Sequence, residues 1–240
     1  MQRTAIRSAL VGRAAALLPG AVLAASLQAL PFTTLNSGHG LPSDAIVVSY
    51  QDQRGFVWLG TTSGLARYDG RHVQTFAARP EQPETLSHPF VHALLDDGQG
   101  SLWVGTSDGI DRLALATEKI HRLTLPAGLA LQQRRVLGFA PRAGAQLWTA
   151  LVGGLYLLDR QTEQLTRWDP PAEADLPAQG RVRAFLADGQ GGVWFALDDW
   201  LLHVDVQGRL RQRLQVGAHP MARGRPAAEL LPRALLLDQG

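Results

Sequence analysis

An all-β chain, an incomplete β-propeller of about four four-stranded antiparallel blades plus the first strand of a fifth, is what this sequence predicts. Three observations carry that reading. Tryptophan recurs at Trp58, Trp103, Trp148 and Trp194, in steps of 45, 45 and 46 residues, a period typical of propeller blades or helical solenoid units. The residues that follow recur with it: WLGTTSGLARYD, WVGTSDGIDRLA, WTALVGGLYLLD and WFALDDWLLHVD align Gly or Ala two places on. Four places later they align Gly64, Gly109 and Gly154, with Trp200 in the fourth unit. Each Trp also sits among short β-prone runs parted by glycine-containing turns, without sustained i, i+3, i+4 apolar spacing. That pattern selects strands over helices.

In the first unit the runs are AIVVSYQD, FVWLGT, LARYD and HVQTFA, and in the second VHALLDD, LWVGT, IDRLAL and KIHRLTL. The third reads RVLGFAP, QLWTA, LYLLD and QLTRWD, and the fourth VRAFLAD, GVWFAL, LLHVD and LRQRLQV. Four β-rich runs per unit make an antiparallel meander. Blades are expected at about 44–77, 90–126, 134–169 and 181–216, and RALLLDQG at 233–240 matches an opening strand. A ring of six to eight blades needs roughly 270–360 residues. The chain is therefore expected to be a fragment or the start of a longer protein, with an apolar face on each end blade.

The turn before each Trp has its own chemistry. Asp52, Asp97 and Asp188 open the pattern D-x-x-G-x-x-W. The carboxylate can accept from the backbone N–H groups just after it, and the glycine supplies positive φ. These aspartates are read as turn formers, not as metal ligands. Arg142 and Ala145 stand at those places in the third unit, which predicts a looser hairpin. The recurrent Trp is expected between neighbouring sheets, where burying ~150–250 Å² stabilises by at most about 4–6 kcal/mol.

Composition narrows the function classes. Of 23 basic residues only Lys119 is not arginine; they are scattered among 21 acids, and net charge is +2. Nucleic acid as a partner is disfavoured. With no cysteine, disulfides and thiolate metal sites are excluded. Residues 1–29, with Arg3, Arg7 and Arg13 ahead of AAALLPGAVLAAS, read as a signal peptide with cleavage after Ala24, Ala25 or Ala29. An uncleaved membrane anchor is the alternative. Either way the repeats are expected to be exported.

The stretch FTTLNSGHGLPSDAIVVSYQDQRGFVWLGTTSGLARYDGRHVQTF closely resembles the opening of bacterial two-component regulator propellers. Their repeat looks like D-x-x-G-x-[LI]-W-[IV]-G-T-x-x-G-[LI]-x-x-[YF]. The resemblance spans about residues 32–240 and weakens in units three and four, where Thr149-Ala150 and Phe195-Ala196 replace Gly-Thr. It implies a periplasmic sensor segment of a hybrid histidine kinase or diguanylate cyclase, inner-membrane anchored in full length. The expected partners are further blades, downstream output domains and a small-molecule or oligosaccharide ligand. It also implies that Phe32 to Leu35 supply the outer strand of the last blade and close the ring.

No catalytic residue, cofactor or metal is expected. Gly105-Thr-Ser107-Asp-Gly109 matches the nucleophile elbow G-x-S-x-G, but aligns with the strand-to-strand turn at Gly60–Gly64, not with a strand-turn-helix. His88 and His92 stand four apart around Pro89 without a helical face. Ligand contacts are expected from the turns between second and third strands and from the connections between blades. Those segments carry Asp108, Asp198, Asp199 and Trp200, with His88, Arg134 and Arg135. A Trp beside two carboxylates suits carbohydrate-like recognition, against simple packing on the next blade. The expectation is a non-catalytic ligand sensor. Its rivals are a secreted propeller enzyme acting on polysaccharide and a periplasmic interaction scaffold.

Overall fold

The structure is a computed structural model that describes residues 34–177 and 180–216. The signal segment, Phe32 and Thr33, and the opening strand at 233–240 lie outside them. Within unit Leu35–Gly240 four antiparallel sheets follow one another. The first holds β1 (Ile46–Gln51), β2 (Val57–Thr61), β3 (Leu65–Tyr68) and β4 (Val73–Phe76). The second holds β5 (Val91–Asp96), β6 (Ser101–Thr106), β7 (Gly109–Ala114) and β8 (Ile120–Arg122). The third is β9 (Val136–Pro141), β10 (Gln146–Leu151), β11 (Gly154–Asp159) and β12 (Leu165–Arg167), and the fourth β13 (Val182–Ala187), β14 (Val193–Leu197), β15 (Trp200–Val204) and β16 (Leu210–Gln215). Each sheet keeps sequence order, the meander the runs predict. First strands pack on one another in turn, β1 on β5, β5 on β9 and β9 on β13. That is the stacking of propeller blades about a common axis.

Three apolar clusters lie between consecutive sheets. Trp58 packs with Leu86 of the connection and with Leu102, Val104 and Leu113 of the second blade. Trp103 packs with Val136, Leu147 and Tyr156 of the third, and Trp148 with Val193, Phe195 and Leu202 of the fourth. All three indoles have 0% exposure, as expected of residues that interlock blades. Trp194 differs: half-buried, it stacks on His203 at 4.6 Å and 15°. On the first blade, Leu35 and the buried Leu41 cover Leu59 and Ala66, while Ile46 and Val47 stay 46% and 43% exposed. Leu35, which the resemblance assigns to a closing strand of the last blade, packs on this first sheet.

The aspartate turns do more than the sequence suggests. Asp52 Oδ1 accepts from the N–H groups of Arg54 and Phe56 at 2.9 and 3.0 Å, and Oδ2 accepts from Trp58 Nε1 at 3.1 Å. Asp97 repeats this with Gln99, Ser101 and Trp103 Nε1. One carboxylate thus closes the hairpin and satisfies the buried indole N–H. In the fourth blade Asp188 Oδ2 instead bonds His203 Nε2 at 2.9 Å. The third hairpin is not looser. Arg142 N–H donates to Gln146 O at 3.0 Å, as Asp52 does to Phe56 O at 3.0 Å. The backbone bond suffices because Arg142 reaches Val206 O at 2.7 Å and lies over Trp148 at 5.1 Å, while Trp148 Nε1 donates to Gly191 O at 3.0 Å.

Ion pairs cross the same boundaries. Arg67 Nη1 meets Glu118 at 2.5 Å and Arg112 Nε meets Glu163 at 2.6 Å. Both glutamates sit at φ 58° in third-to-fourth-strand turns. The connection between the first two blades is clamped by Arg122. Its Nη2 donates to the carbonyls of Arg79, Gln82 and Leu86 at 2.9 Å, and its Nε to Thr85 O at 2.8 Å. Arg122→Ala is expected to lower the unfolding free energy by about 2–3 kcal/mol, read from the urea midpoint. Arg122→Lys should not restore it, because one ammonium cannot span four carbonyls.

Candidate functional site

In every blade the first strand carries a β-bulge at the same place. Val91 pairs with Thr106 and Ala93 with Gly105, leaving His92 as the extra residue. Val47, Leu137 and Arg183 are left over in the same way. All four stand 11 residues before their blade's Trp. A bulge re-aims a side chain and is common at the rims of barrels and beside active sites. In the second and fourth blades the bulged residue meets the second-to-third-strand hairpin of its own blade. His92 Nε2 lies 2.8 Å from Ser107 Oγ, and Arg183 Nη2 lies 4.0 Å from Asp198 Oδ1.

The expected site residues divide around this rim. Arg134 Nη1 pairs with Asp108 Oδ1 at 3.2 Å, and its Nε donates to Leu129 O at 3.1 Å. His88 Nδ1 accepts from Phe90 N–H at 3.0 Å, and Phe90 stacks on His92 at 4.2 Å. Burial, with the charges of Arg135 and His88, lowers His92 to about 4. Asp198 sits at φ 50° and its Oδ1 accepts from Arg181 N–H at 3.1 Å. Trp200 falls away from the rim, while Asp199 stays in the hairpin turn with its carboxylate bonded to the fourth strand. Asp199 accepts from Gln215 Nε2 at 3.2 Å, and Trp200 packs against the cluster between the third and fourth blades, with the Arg213 guanidinium 5.8 Å from its ring centroid. The reason is the hairpin. Trp200 takes the glycine position because Asp198 supplies the positive φ, so the turn is Asp198-Asp199 with Leu197 paired to Trp200.

Sequence reasoning missed His92, Arg183, Tyr156, Arg167 and Arg181. The bulge column was visible as a fixed offset whose chemistry varies from Val to His to Leu to Arg. The others line a cleft of about 560 Å³ bounded by Gln133, Tyr156, Arg167, Arg181 and Asp198. Burial pushes the Tyr156 phenol up, and Arg167 Nε donates to Asp169 Oδ1 at 2.9 Å.

One ionisable group is buried away from the rim. Asp111, 0% exposed, accepts from the N–H and Oγ of Ser87 at 2.9 and 3.0 Å, while its Oδ1 has no partner. Burial raises it to about 6. A raised carboxyl contributes stability that is complete below its ordinary 3.8 and lost as pH rises through about 6. His92 opposes this: its contribution is complete above 6.5 and lost as pH falls toward about 4. Asp111→Asn is therefore expected to raise stability at pH 8 by on the order of 3 kcal/mol and to leave it nearly unchanged at pH 4. Urea midpoints across that range test it.

The elbow-like Ser107 does bond a histidine, but in a hairpin between β6 and β7. An imidazole at about 4 is a weak base near neutrality.

Comparison with known proteins follows the same lines. The repeat description of the two component regulator propeller matches residues 40–63 and 85–108, from just before the first strand to the second-to-third-strand turn in each of the first two blades. No curated protein gave a sequence match. Among solved structures, the extracellular domain of BT3049, assigned as a hybrid two-component system from B. thetaiotaomicron, superposes with a TM-score of 0.55 at 17% identity over 75% of this chain and 31% of its own. The extracellular domain of BT4673 from the same organism gives 0.46 at 19% identity, over 72% of this chain and 28% of its own. A chain of the mitotic checkpoint complex gives 0.50 at 18% identity, over 72% of this chain and 51% of its own. This chain thus spans about a third of the length of these two extracellular domains. At 17% identity the superposition on BT3049 shows the fold, a propeller arc. Residues 40–63 and 85–108 thus match the repeat of the two component regulator propeller, and the tryptophan period and four meander blades continue the same architecture beyond them.

Proposed function

We propose that this chain is an extracytoplasmic, non-catalytic ligand-sensing propeller segment of a bacterial signal-transduction receptor, working with further blades and a downstream kinase or cyclase. The observation that carries the reading is the bulge column. The scaffold columns largely repeat Trp, Gly and Asp, whereas the bulged position varies from Val47 to His92, Leu137 and Arg183, and its two polar members meet the rim hairpins at Ser107 and Asp198. Invariant framework with variable rim chemistry is how a repeat protein makes a binding surface. A ligand that bridges connections of neighbouring blades, and binds one inter-blade arrangement better than another, shifts the population of that arrangement and so the output.

Thermal-shift screening of the purified chain against small polar ligands tests this. A ligand is expected to raise the Tm, and His92→Ala or Arg183→Ala is expected to erase the shift while leaving the ligand-free Tm within a few degrees. A shift untouched by either variant would sink the rim as the sensing site. The Ser107–His92 hydrogen bond is the feature that favours the secreted-enzyme alternative. That alternative requires turnover of polysaccharide or an activated ester that Ser107→Ala abolishes, and none is expected.

A further inference from the structure

We propose that the cleft between the third and fourth blades takes a small polar molecule carrying an oxyanion, a carboxylate or a sulfate, with the Arg181 guanidinium as its main contact. This rests on the ligand-sensing reading and names the chemistry it would recognise. The cations around the cleft are mostly committed. Arg134 is paired with Asp108, Arg167 with Asp169, and Arg183 lies within 4.0 Å of Asp198. Arg181 stands apart: among the described residues its guanidinium has no hydrogen-bond or ion-pair partner, and the residue, itself exposed, lines the cleft.

Its backbone is nevertheless fixed on both sides. Arg181 N–H donates to Asp198 Oδ1 at 3.1 Å, and Arg181 O accepts from Asp198 N–H at 2.9 Å. The one carboxylate of the cleft is thereby engaged with the backbone of the residue whose side chain it would otherwise neutralise. The result is a cation held at its root and open at its tip, an arrangement suited to bidentate recognition of a carboxylate or sulfate. Gln133, Tyr156 and Arg167 add polar groups, and Leu129 and Leu165 apolar wall. The neighbouring rim adds Arg135, whose guanidinium also has no partner among the described residues. The backbone of Arg135 is held by Val152, whose N–H donates to Arg135 O at 2.9 Å and whose O accepts from Val182 N–H at 3.0 Å. The volume of about 560 Å³ is in the range of small-ligand sites, roughly 300–1,000 Å³. It has room for an acidic monosaccharide or disaccharide.

Isothermal titration of the full chain at low salt with D-galacturonate, inorganic sulfate and neutral methyl galactoside tests the proposal. Galacturonate or sulfate is expected to bind, to weaken at least tenfold in Arg181→Gln, and to weaken with added sodium chloride. Arg209→Gln, which removes another exposed guanidinium, without a partner among the described residues and outside the cleft lining, should leave binding unchanged, and far-UV circular dichroism checks that both variants keep the fold. Binding of galacturonate alone assigns a carboxylate source, and binding of sulfate alone a sulfate ester. If methyl galactoside binds as well as galacturonate and Arg181→Gln changes neither, the oxyanion claim falls while the ligand-sensing reading stands. If neither anion binds, or both bind unaltered in Arg181→Gln, the proposal is overturned.

Discussion

Trp103→Ala is expected to lower the unfolding free energy by about 3–5 kcal/mol, the range for truncating a fully buried large aromatic. Trp103 is 0% exposed and joins Ala93 and Ile110 of its own blade to Val136, Leu147 and Tyr156 of the next. Truncation opens a cavity across a blade boundary and takes from Asp97 Oδ2 the indole donor 3.2 Å away. A domain of this kind has ~5–15 kcal/mol in total, so the variant should be near the limit of folding at 37 °C. Trp194→Ala is the internal comparison. Half-buried and stacked on His203, it belongs to none of the clusters among the described residues. Its loss should cost about 1 kcal/mol, because little packed volume is emptied. Urea unfolding of the two variants separates them. Equal costs would show that the recurrent indole does not act by interlocking sheets.

Gly105→Val is expected to cost about 3 kcal/mol, at the upper end of overpacking effects. A Cβ at Gly105 would lie 2.5 Å from Val136 Cγ1 and 2.7 Å from Val136 Cβ, on the first strand of the next blade. Gly105 is not among the glycines with positive φ, so the penalty is steric rather than conformational. Gly60 faces Val91 in the same way, with Cγ1 at 2.6 Å. The third blade solves the problem differently. Ala150 occupies this column, and its register partner is Gly138, where a Cβ would meet Phe185 Cδ1 at 2.7 Å. The contact needs one glycine, on either the first or the second strand, wherever the next blade comes closest. Gly105→Val combined with Val136→Ala should therefore cost less than the sum of the two single changes. Additive costs in that double-mutant cycle would refute the close-approach explanation.

The glycine shift explains why the third unit looked divergent in sequence. Thr149-Ala150 replaces Gly-Thr after Trp148, yet the boundary is packed because the missing glycine sits one strand away at Gly138. Arg142 is a second case. It lacks the carboxylate of Asp52 and Asp97, and the sequence reading expected a slack hairpin. The guanidinium instead crosses to Val206 O, a partner 64 positions along the chain that no local reading could supply. The candidate site shows the same divide. Asp108 and Arg134 stand 26 residues apart and meet as an ion pair. Trp200, two residues beyond Asp198, leaves the rim because Asp198 took the positive φ.

What the amino-acid sequence determined on its own was the unit. Its length, its four strands, its aspartate turns and its indole and glycine columns follow from side-chain alternation and turn chemistry, forces that act within a few residues. What the tertiary structure decided was everything between units. The pairs Arg67–Glu118 and Arg112–Glu163, the reach of Arg142 to Val206 O and the strand that carries the glycine all depend on which sheet lies against which. Such contacts form only when segments about thirty or more residues apart are brought within a side chain's length, and their geometry is set by packing rather than by any local preference.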